Sequence, residues 1–383
     1  MKKILFVTAR NPYSGRYSGD VIRAKKIIDY LRTKNSVDAI FLTNKKEINK
    51  IKNDKKNIFF EYPNFIKKVF FCLSNLFKLK PLQFGLFYSE EMANYINENA
   101  NDYDLLFFHQ IRSSQYLPKE FRGKTVLEMG DLYSDNYKQT FNNLNFFNIF
   151  RFVYLLESFL VKRVENLIFS SFDKIILFSK SEINKVEKKY KKKIYHIGES
   201  IQSINKKHKF STKNNKVLFI GNLGYMPNIL ACKEFIKYIL PILKKKIPNI
   251  EFNIIGNIKS FDKFFLSLNK NTKILGPQKK LDKFIDKSIC GLANLKVATG
   301  VQGKVLTYMS YGLPVICSKK TSLNFDKNVL IYKNDNELVN LICNLKDNIK
   351  LHKKFSKNSL MFVKNLNWKK VSLNYSKIIK FNK

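Results

Sequence analysis

GVQGKVLTYMSYGLPVI, residues 300–316, is the stretch whose pattern says most about the architecture. Gly300 and Gly303 make a loop, Lys304 begins a short helix, Gly312 stops it, and Pro314 leads into a buried run at Val315 and Ile316. Around it the same alternation continues. The spacing predicts strands at Val217–Ile220, Glu251–Ile255, Lys273–Leu275, Gly291–Leu295 and Pro314–Cys317, with helices at Ile229–Leu243, Leu281–Lys287 and Gly303–Tyr311. Strands alternating with helices imply a parallel sheet covered on both faces.

A second alternating series precedes this one. Strands are predicted at Lys3–Thr8, Val37–Leu42, Leu105–His109, Thr125–Glu128 and Lys174–Phe178, and helices at Val21–Leu31, Ser89–Asn99, Phe150–Val164 and Ser181–Lys189. The polar segment 202–216 separates the series, so the expected organisation is a domain at 1–201, a linker at 202–216 and a domain at 217–366. The last segment, 367–383, contains the single Trp and a helix with Val371, Tyr375, Ile378 and Ile379 on one side. It either completes the second core or crosses back to the first domain, the expectation taken here. A chain of 383 residues suits two cores of ordinary size. The fold class expected is therefore α/β, two doubly wound Rossmann-like domains.

Lys and Arg number 70 against 30 Asp and Glu, a formal charge of +40. The excess is spread along the chain with many Asn and Ile and forms no basic arm, so no nucleic-acid partner is expected. Such a surface is drawn to anionic lipid headgroups. The stretch Phe65–Phe87 interleaves Phe70, Phe71 and Phe77 with Lys67, Lys68, Lys78 and Lys80, which suits either a membrane interface or a core. Five cysteines, Cys72, Cys232, Cys290, Cys317 and Cys343, show no CxxC spacing, so a reduced cytoplasmic compartment and no metal site are expected. The apolar run after Lys2 and Lys3 is too short for a signal sequence and reads as a strand. The location expected is cytoplasmic, with peripheral attachment to the inner face of the plasma membrane.

Open α/β sheets bind ligands beyond the carboxyl ends of their strands, so the loops there hold the candidates. After the first strand, Asn11, Ser14, Gly15, Ser18, Gly19 and Asp20 place small residues before a helix whose N–H groups suit a phosphate. Gly221, Asn222 and Gly224 occupy the same place in the second series, followed by Pro227 and Asn228. GxGxxG spacing is missing from both, which argues against a nicotinamide site. His109 ends an apolar strand, either as a catalytic group or as a satisfied histidine at the edge of the core. Asp131, close to Glu128 at a strand end, either orients an acceptor or caps a turn. Glu199 follows Gly198 at the start of the linker and is a weaker candidate.

Taken together, GVQGKVLTYMSYGLPVI (300–316), FIGNLGYMPNILACKEFIKYILPIL (219–243) and IPNIEFNIIG (247–256) resemble glycosyltransferase family four, in its exopolysaccharide-associated branch. SGDVIRAKKIIDYL (18–31) and VLEMGDLYSDNY (126–137) resemble the family's N-terminal half. The resemblance implies a GT-B architecture, two domains facing across a cleft, and transfer of a sugar from a nucleotide-sugar to a surface-polysaccharide or lipid-linked glycan acceptor with retention. It implies that Lys304 meets the donor diphosphate with the backbone of Gly221, Asn222 and Gly303, that with retention Lys304 and these amides contribute most to catalysis, and that Gly19 and Asp20 belong to an acceptor or phosphate loop; beside it, the N-terminal half offers Asp131 and His109 as catalytic candidates, Asp131 to orient the acceptor. No cofactor or metal is expected, since no DxD pair stands in a donor loop. The family's two glutamates across this loop are Thr299 and Thr307 here; hydroxyls can still bond a ribose but are neutral. That departure leaves a second expectation open, a GT-B-like protein that binds nucleotide-sugar with weak or no catalysis.

Overall fold

A computed structural model describes residues 1–15, 18–48, 56–146, 148–201 and 207–381. Residues 202–206 of the expected linker lie outside the described residues. Contacts divide the chain into a first unit, Met1–Gly198 with Val371–Lys383, and a second unit, Glu199–Lys370.

The first unit is built on β1 (Lys3–Thr8), β2 (Ser36–Thr43), β3 (Asn57–Glu61), β4 (Leu105–His109), β5 (Lys124–Gly130), β6 (Lys174–Leu177) and β7 (Ile194–His196). They form one parallel sheet in the order β3-β2-β1-β4-β5-β6-β7. Ile4–Val7 and Leu105–Phe108 are wholly buried, as strands covered on both faces must be. Helix Gly19–Arg32 buries Val21, Ala24, Ile27, Ile28 and Leu31, the stripe expected of a helix on a sheet. Helix Trp368–Ile378 packs here through Tyr375 and Ile378. Its last carbonyls are taken by lysines: Lys2 Nζ donates to Ile379 O at 2.7 Å and Lys174 Nζ to Ile378 O at 2.8 Å.

The second unit carries β8 (Lys216–Ile220), β9 (Glu251–Ile255), β10 (Thr272–Ile274), β11 (Ser288–Ala293), β12 (Val315–Ser318) and β13 (Leu330–Tyr332), parallel throughout in the order β10-β9-β8-β11-β12-β13. In both sheets the order runs outward from the first strand in one direction and then resumes on its other side. The reversal lies between β1 and β4 and between β8 and β11. Crevices for ligands open at such reversals. His208 belongs to this unit, its N–H donating to Tyr311 O at 2.7 Å.

The expected α/β class with doubly wound sheets holds for both units, while several elements differ from expectation. Strands β3, β7 and β13 and the helices Phe65–Phe77, Tyr133–Asn143, Asp335–Asp347 and Ile349–Val363 were not anticipated. The helix expected at Ser181–Lys189 is one turn, Lys180–Ile183, followed by a 3-10 turn, Lys188–Lys193. That segment is lysine-rich, and its Lys188–Lys193 turn buries nothing that would hold a longer helix. The Ile229–Leu243 helix starts earlier, at Met226, and widens to a π turn at Phe235–Ile239. Pro241 explains the widening: it has no N–H for the ladder, and its ring presses on the preceding turn.

Candidate functional site

In the second unit the site grows from the end of β8. Ile220 N–H donates to the phenol of Tyr308 at 2.7 Å, and Gly221 N–H to Ile255 O at 2.9 Å, which fixes where the strand ends. The turn that follows is held from within: Gly224 N–H donates to Asn222 Oδ1 at 3.0 Å, and Asn228 Nδ2 to Asn222 O at 2.8 Å. Gly256, at the end of β9, has φ +145°, and a Cβ on it would lie 1.8 Å from Gly221 O. Only glycine fits there.

Lys304 reaches this turn from the helix Gly303–Ser310. Its Nζ donates to Asn228 Oδ1 at 2.6 Å and lies 3.9 Å from the centroid of the Phe219 ring. No carboxylate among the described residues stands within ion-pair distance of it. Burial against Phe219 pulls the ammonium down to about 7, only partly offset by the Cys232 and Cys317 thiols. A cation so placed gains from any anion that enters. The helix start beside it has no side-chain cap, and open space surrounds Gly303. Its first N–H groups and its dipole therefore point where an anion can sit.

Thr307 is half-buried one turn after Lys304, and its hydroxyl donates to Gly303 O at 3.0 Å. Its lone pairs stay available as acceptors. Thr299 offers its carbonyl to Gln302 Nε2 at 2.9 Å and so shapes the loop that precedes the helix. The structure thus gathers Gly221, Asn222 and Lys304 through Asn228. Sequence reasoning missed Asn228 as the bridge, Phe219 as the floor, Tyr308 as the strut and Gly256 as the point of closest approach. Gly256 alone left a signal, a glycine closing an apolar strand.

In the first unit, His109 ends β4 inside a buried network. Its Nε2 lies 3.0 Å from Asp20 O and its Nδ1 3.2 Å from Glu128 Oε1. Arg23 Nε donates to the same Glu128 oxygen at 2.8 Å, and the Tyr375 phenol donates to the other. Burial by itself would raise the Glu128 carboxyl, but Arg23, His109 and Tyr375 bring it down to about 2. Glu128 was noticed in the sequence only as a neighbour of Asp131; it is the centre of this network.

A small pocket at the reversal of this sheet is lined by Thr8, Arg10, Asp20, His109, Gln110 and Arg112, among others. Arg10 pairs with Asp20 at 2.8 Å. Burial opposes the Asp20 charge, yet Arg10, the Ser18 hydroxyl and His109 hold its carboxyl below the usual range. Gln110 has φ 69° and ψ 148°, a region almost confined to glycine, and its side chain accepts from the Tyr133 phenol. Nothing in the sequence marks that residue. Gly19 begins the Gly19–Arg32 helix with open space around it. Asp131 is half-buried just beyond β5, after Gly130 with φ +85°, and does not line the pocket. His109 and Asp20 are therefore brought together at this pocket, and Asp131 lies outside its lining.

Residues 214–348 match the family described as Glycosyl transferases group 1. A relative from Klebsiella pneumoniae, an uncharacterized 44.6 kDa protein in a cps region, is 28% identical over 274 residues, 68% of this chain and 66% of that protein. The chain thus spans just under two thirds of that relative's length. Among solved structures, TarM of S. aureus is similar over 100% of this chain and 99% of its own, with TM-score 0.67 and 12% identity. HepE of Anabaena in complex with UDP-glucose is similar over 98% of this chain and 99% of its own, with TM-score 0.65 and 13% identity. With two parallel α/β units matched end to end by such structures, the fold is GT-B.

Proposed function

We propose that the chain is a glycosyltransferase of family four, moving a hexose from a nucleotide-sugar to a glycan acceptor with retention and without a metal ion or cofactor. One observation carries this reading: Lys304, an ammonium with no carboxylate partner among the described residues, set beside an uncapped helix start at the reversal of the second sheet. A donor diphosphate placed there is met by Lys304 and by N–H groups of Asn222 and Gly303, while Gly221, its own N–H held by Ile255 O, sets the close approach of the turn. As the bond from the anomeric carbon to the diphosphate breaks, the leaving oxygens gain charge, and fixed donors stabilise that charge more than they stabilise the bound donor. Thr307 and Thr299 flank the donor in place of carboxylates. In the first unit, Gly19, Asp20 and His109 hold the acceptor loop, with Asp131 orienting the accepting hydroxyl.

A uridine diphosphate sugar is the first donor to test, because the HepE structure holds UDP-glucose and a TarM structure holds UDP. The relative's cps region supports a polysaccharide acceptor. The experiment is calorimetric titration with a panel of uridine and guanosine diphosphate sugars, for the natural chain and Lys304→Ala. Loss of a charged donor to a phosphate is expected to weaken binding by more than about tenfold. Equal affinities would remove Lys304 from the donor site, and release of the nucleoside diphosphate only when a glycan is added would establish transfer.

A further inference from the structure

The helix Phe65–Phe77 turns its apolar side outward. Phe65, Val69, Leu73 and Phe77 follow one another at four-residue spacing with Ile66 and Phe70 beside them, and all are exposed, Phe65 by 79% and Phe77 by 87%. None of its 13 residues is buried. The opposite side is what anchors it. There the backbone of Phe71 and Cys72 passes so near Gly85 that a Cβ would lie 2.5 Å from Cys72 N, and the Phe71 ring meets Tyr88 edge-on at 5.0 Å. The turn Leu82–Gly85 is in turn fastened to helix Phe150–Ser171, where the buried Glu157 carboxylate accepts from the N–H groups of Leu82 and Gln83.

The start of that long helix shows the same inversion, a carboxylate inside and phenyl rings outside. Phe152, Val153, Leu156 and Phe159 share one stripe and are exposed, with Phe146 and Ile149 before them. Apolar surface of this extent on two linked helices persists in water where a partner covers it. Charge identifies the partner. Residues 62–88 and 136–156 contain Lys67, Lys68, Lys78, Lys80, Lys138 and Arg151 and not one Asp or Glu. A second copy of a chain with formal charge +40 would set like charge against like. An anionic bilayer offers phosphates to the ammonium groups and hydrocarbon to the phenyl rings, and no helix among the described residues is long and apolar enough to cross one.

We propose that the helix Phe65–Phe77 and the beginning of helix Phe150–Ser171 form a docking face for an anionic lipid leaflet, the first helix lying in the headgroup plane with its phenyl rings inserted. The face does not depend on the donor site, so it stands or fails apart from the transferase reading. Co-sedimentation of the full chain with vesicles of phosphatidylcholine, pure or containing one third phosphatidylglycerol, tests it. Binding is expected to the anionic vesicles and to be at least about tenfold weaker to the neutral ones. The triple variant Phe65→Ser, Phe70→Ser, Phe77→Ser alters only exposed side chains. It is expected to keep its circular dichroism spectrum and its nucleotide-sugar affinity while losing vesicle binding by more than about tenfold. Unchanged sedimentation of the triple variant would show that net charge alone binds lipid, and would overturn the proposal. It would equally be overturned if the natural chain ignored anionic vesicles and formed a dimer that the variant dissolved.

Discussion

At the scale of a residue, Lys304 ties sequence to chemistry most directly. Burial lowers its ammonium from 10.5 to about 7, so between those values the folded, ligand-free chain holds fewer protons than the unfolded one. Its stability in that window rises with pH, because the unfolded state is the one that binds the extra proton. A diphosphate beside Nζ reverses the balance by favouring the charged form. Donor binding at pH 8 is therefore expected to take up close to one proton, and affinity to fall about tenfold for each unit of pH above 7. Calorimetry in two buffers of different ionisation enthalpy measures the uptake directly. Lys304→Met should abolish it, and a natural chain that takes up no proton would place the diphosphate elsewhere. Thr307 is less legible at this scale. Its hydroxyl is spent on Gly303 O as a donor, so only its acceptor capacity remains for a ligand.

The next scale is the element, where the donor site depends on two strands ending together. Gly221 N–H bonds Ile255 O, Leu223 N–H bonds Asn257 O at 2.7 Å, and Gly256 passes against Gly221 with no room for a side chain. Gly256→Ala must push the β8 turn away or bend β9, and its φ of +145° is itself unsuited to alanine. We expect a loss of about 2–4 kcal/mol in urea unfolding together with weaker nucleotide-sugar binding, since the turn carries Asn222 and meets Asn228. A variant as stable as the natural chain would mean that the two turns are not packed as described. Helix Gly303–Ser310 belongs to the same arrangement through Tyr308. That phenol accepts from Ile220 N–H and lies against Gly291, where an added Cβ would come within 2.3 Å of the ring. The residue that props the site is thus on the same helix as the residue that presents the charge.

For the whole molecule, the notable feature of the first unit is that it draws on both ends of the chain. Tyr375 donates to Glu128 and accepts from Arg23 at 2.7 Å, so a residue near the C-terminus completes a network around a strand of the N-terminal sheet. Glu128 is depressed from 4.5 to about 2, so its contribution is full above 4.5 and is lost as pH falls toward 2. Tyr375→Phe removes two hydrogen bonds to buried charges, the one given to Glu128 and the one taken from Arg23, and should cost at least about 1.5–3 kcal/mol at neutral pH. It should also move the acid-unfolding midpoint upward, because Glu128 then protonates more readily. An acid midpoint unmoved by the substitution would show that Arg23 and His109 alone hold the charge. Much of this protein could be read from residues alone. Apolar runs such as Ile4–Val7 and Leu105–Phe108, alternating with helical stripes, announced two doubly wound sheets, because burial on both faces leaves a continuous pattern in the chain. The stretch 300–316 announced a glycine loop, a lysine and a helix stop, since each follows from local backbone preference. What folding alone decided was which distant groups meet: Lys304 with Asn228 and Phe219, Gly256 with Gly221, Glu128 with Arg23, His109 and Tyr375, and the outward turn of the Phe65–Phe77 stripe. These depend on strand order and on which side of a helix is left uncovered. Neither is recorded in local spacing, because a phenylalanine has the same pattern whether its face finds a core or is left to solvent.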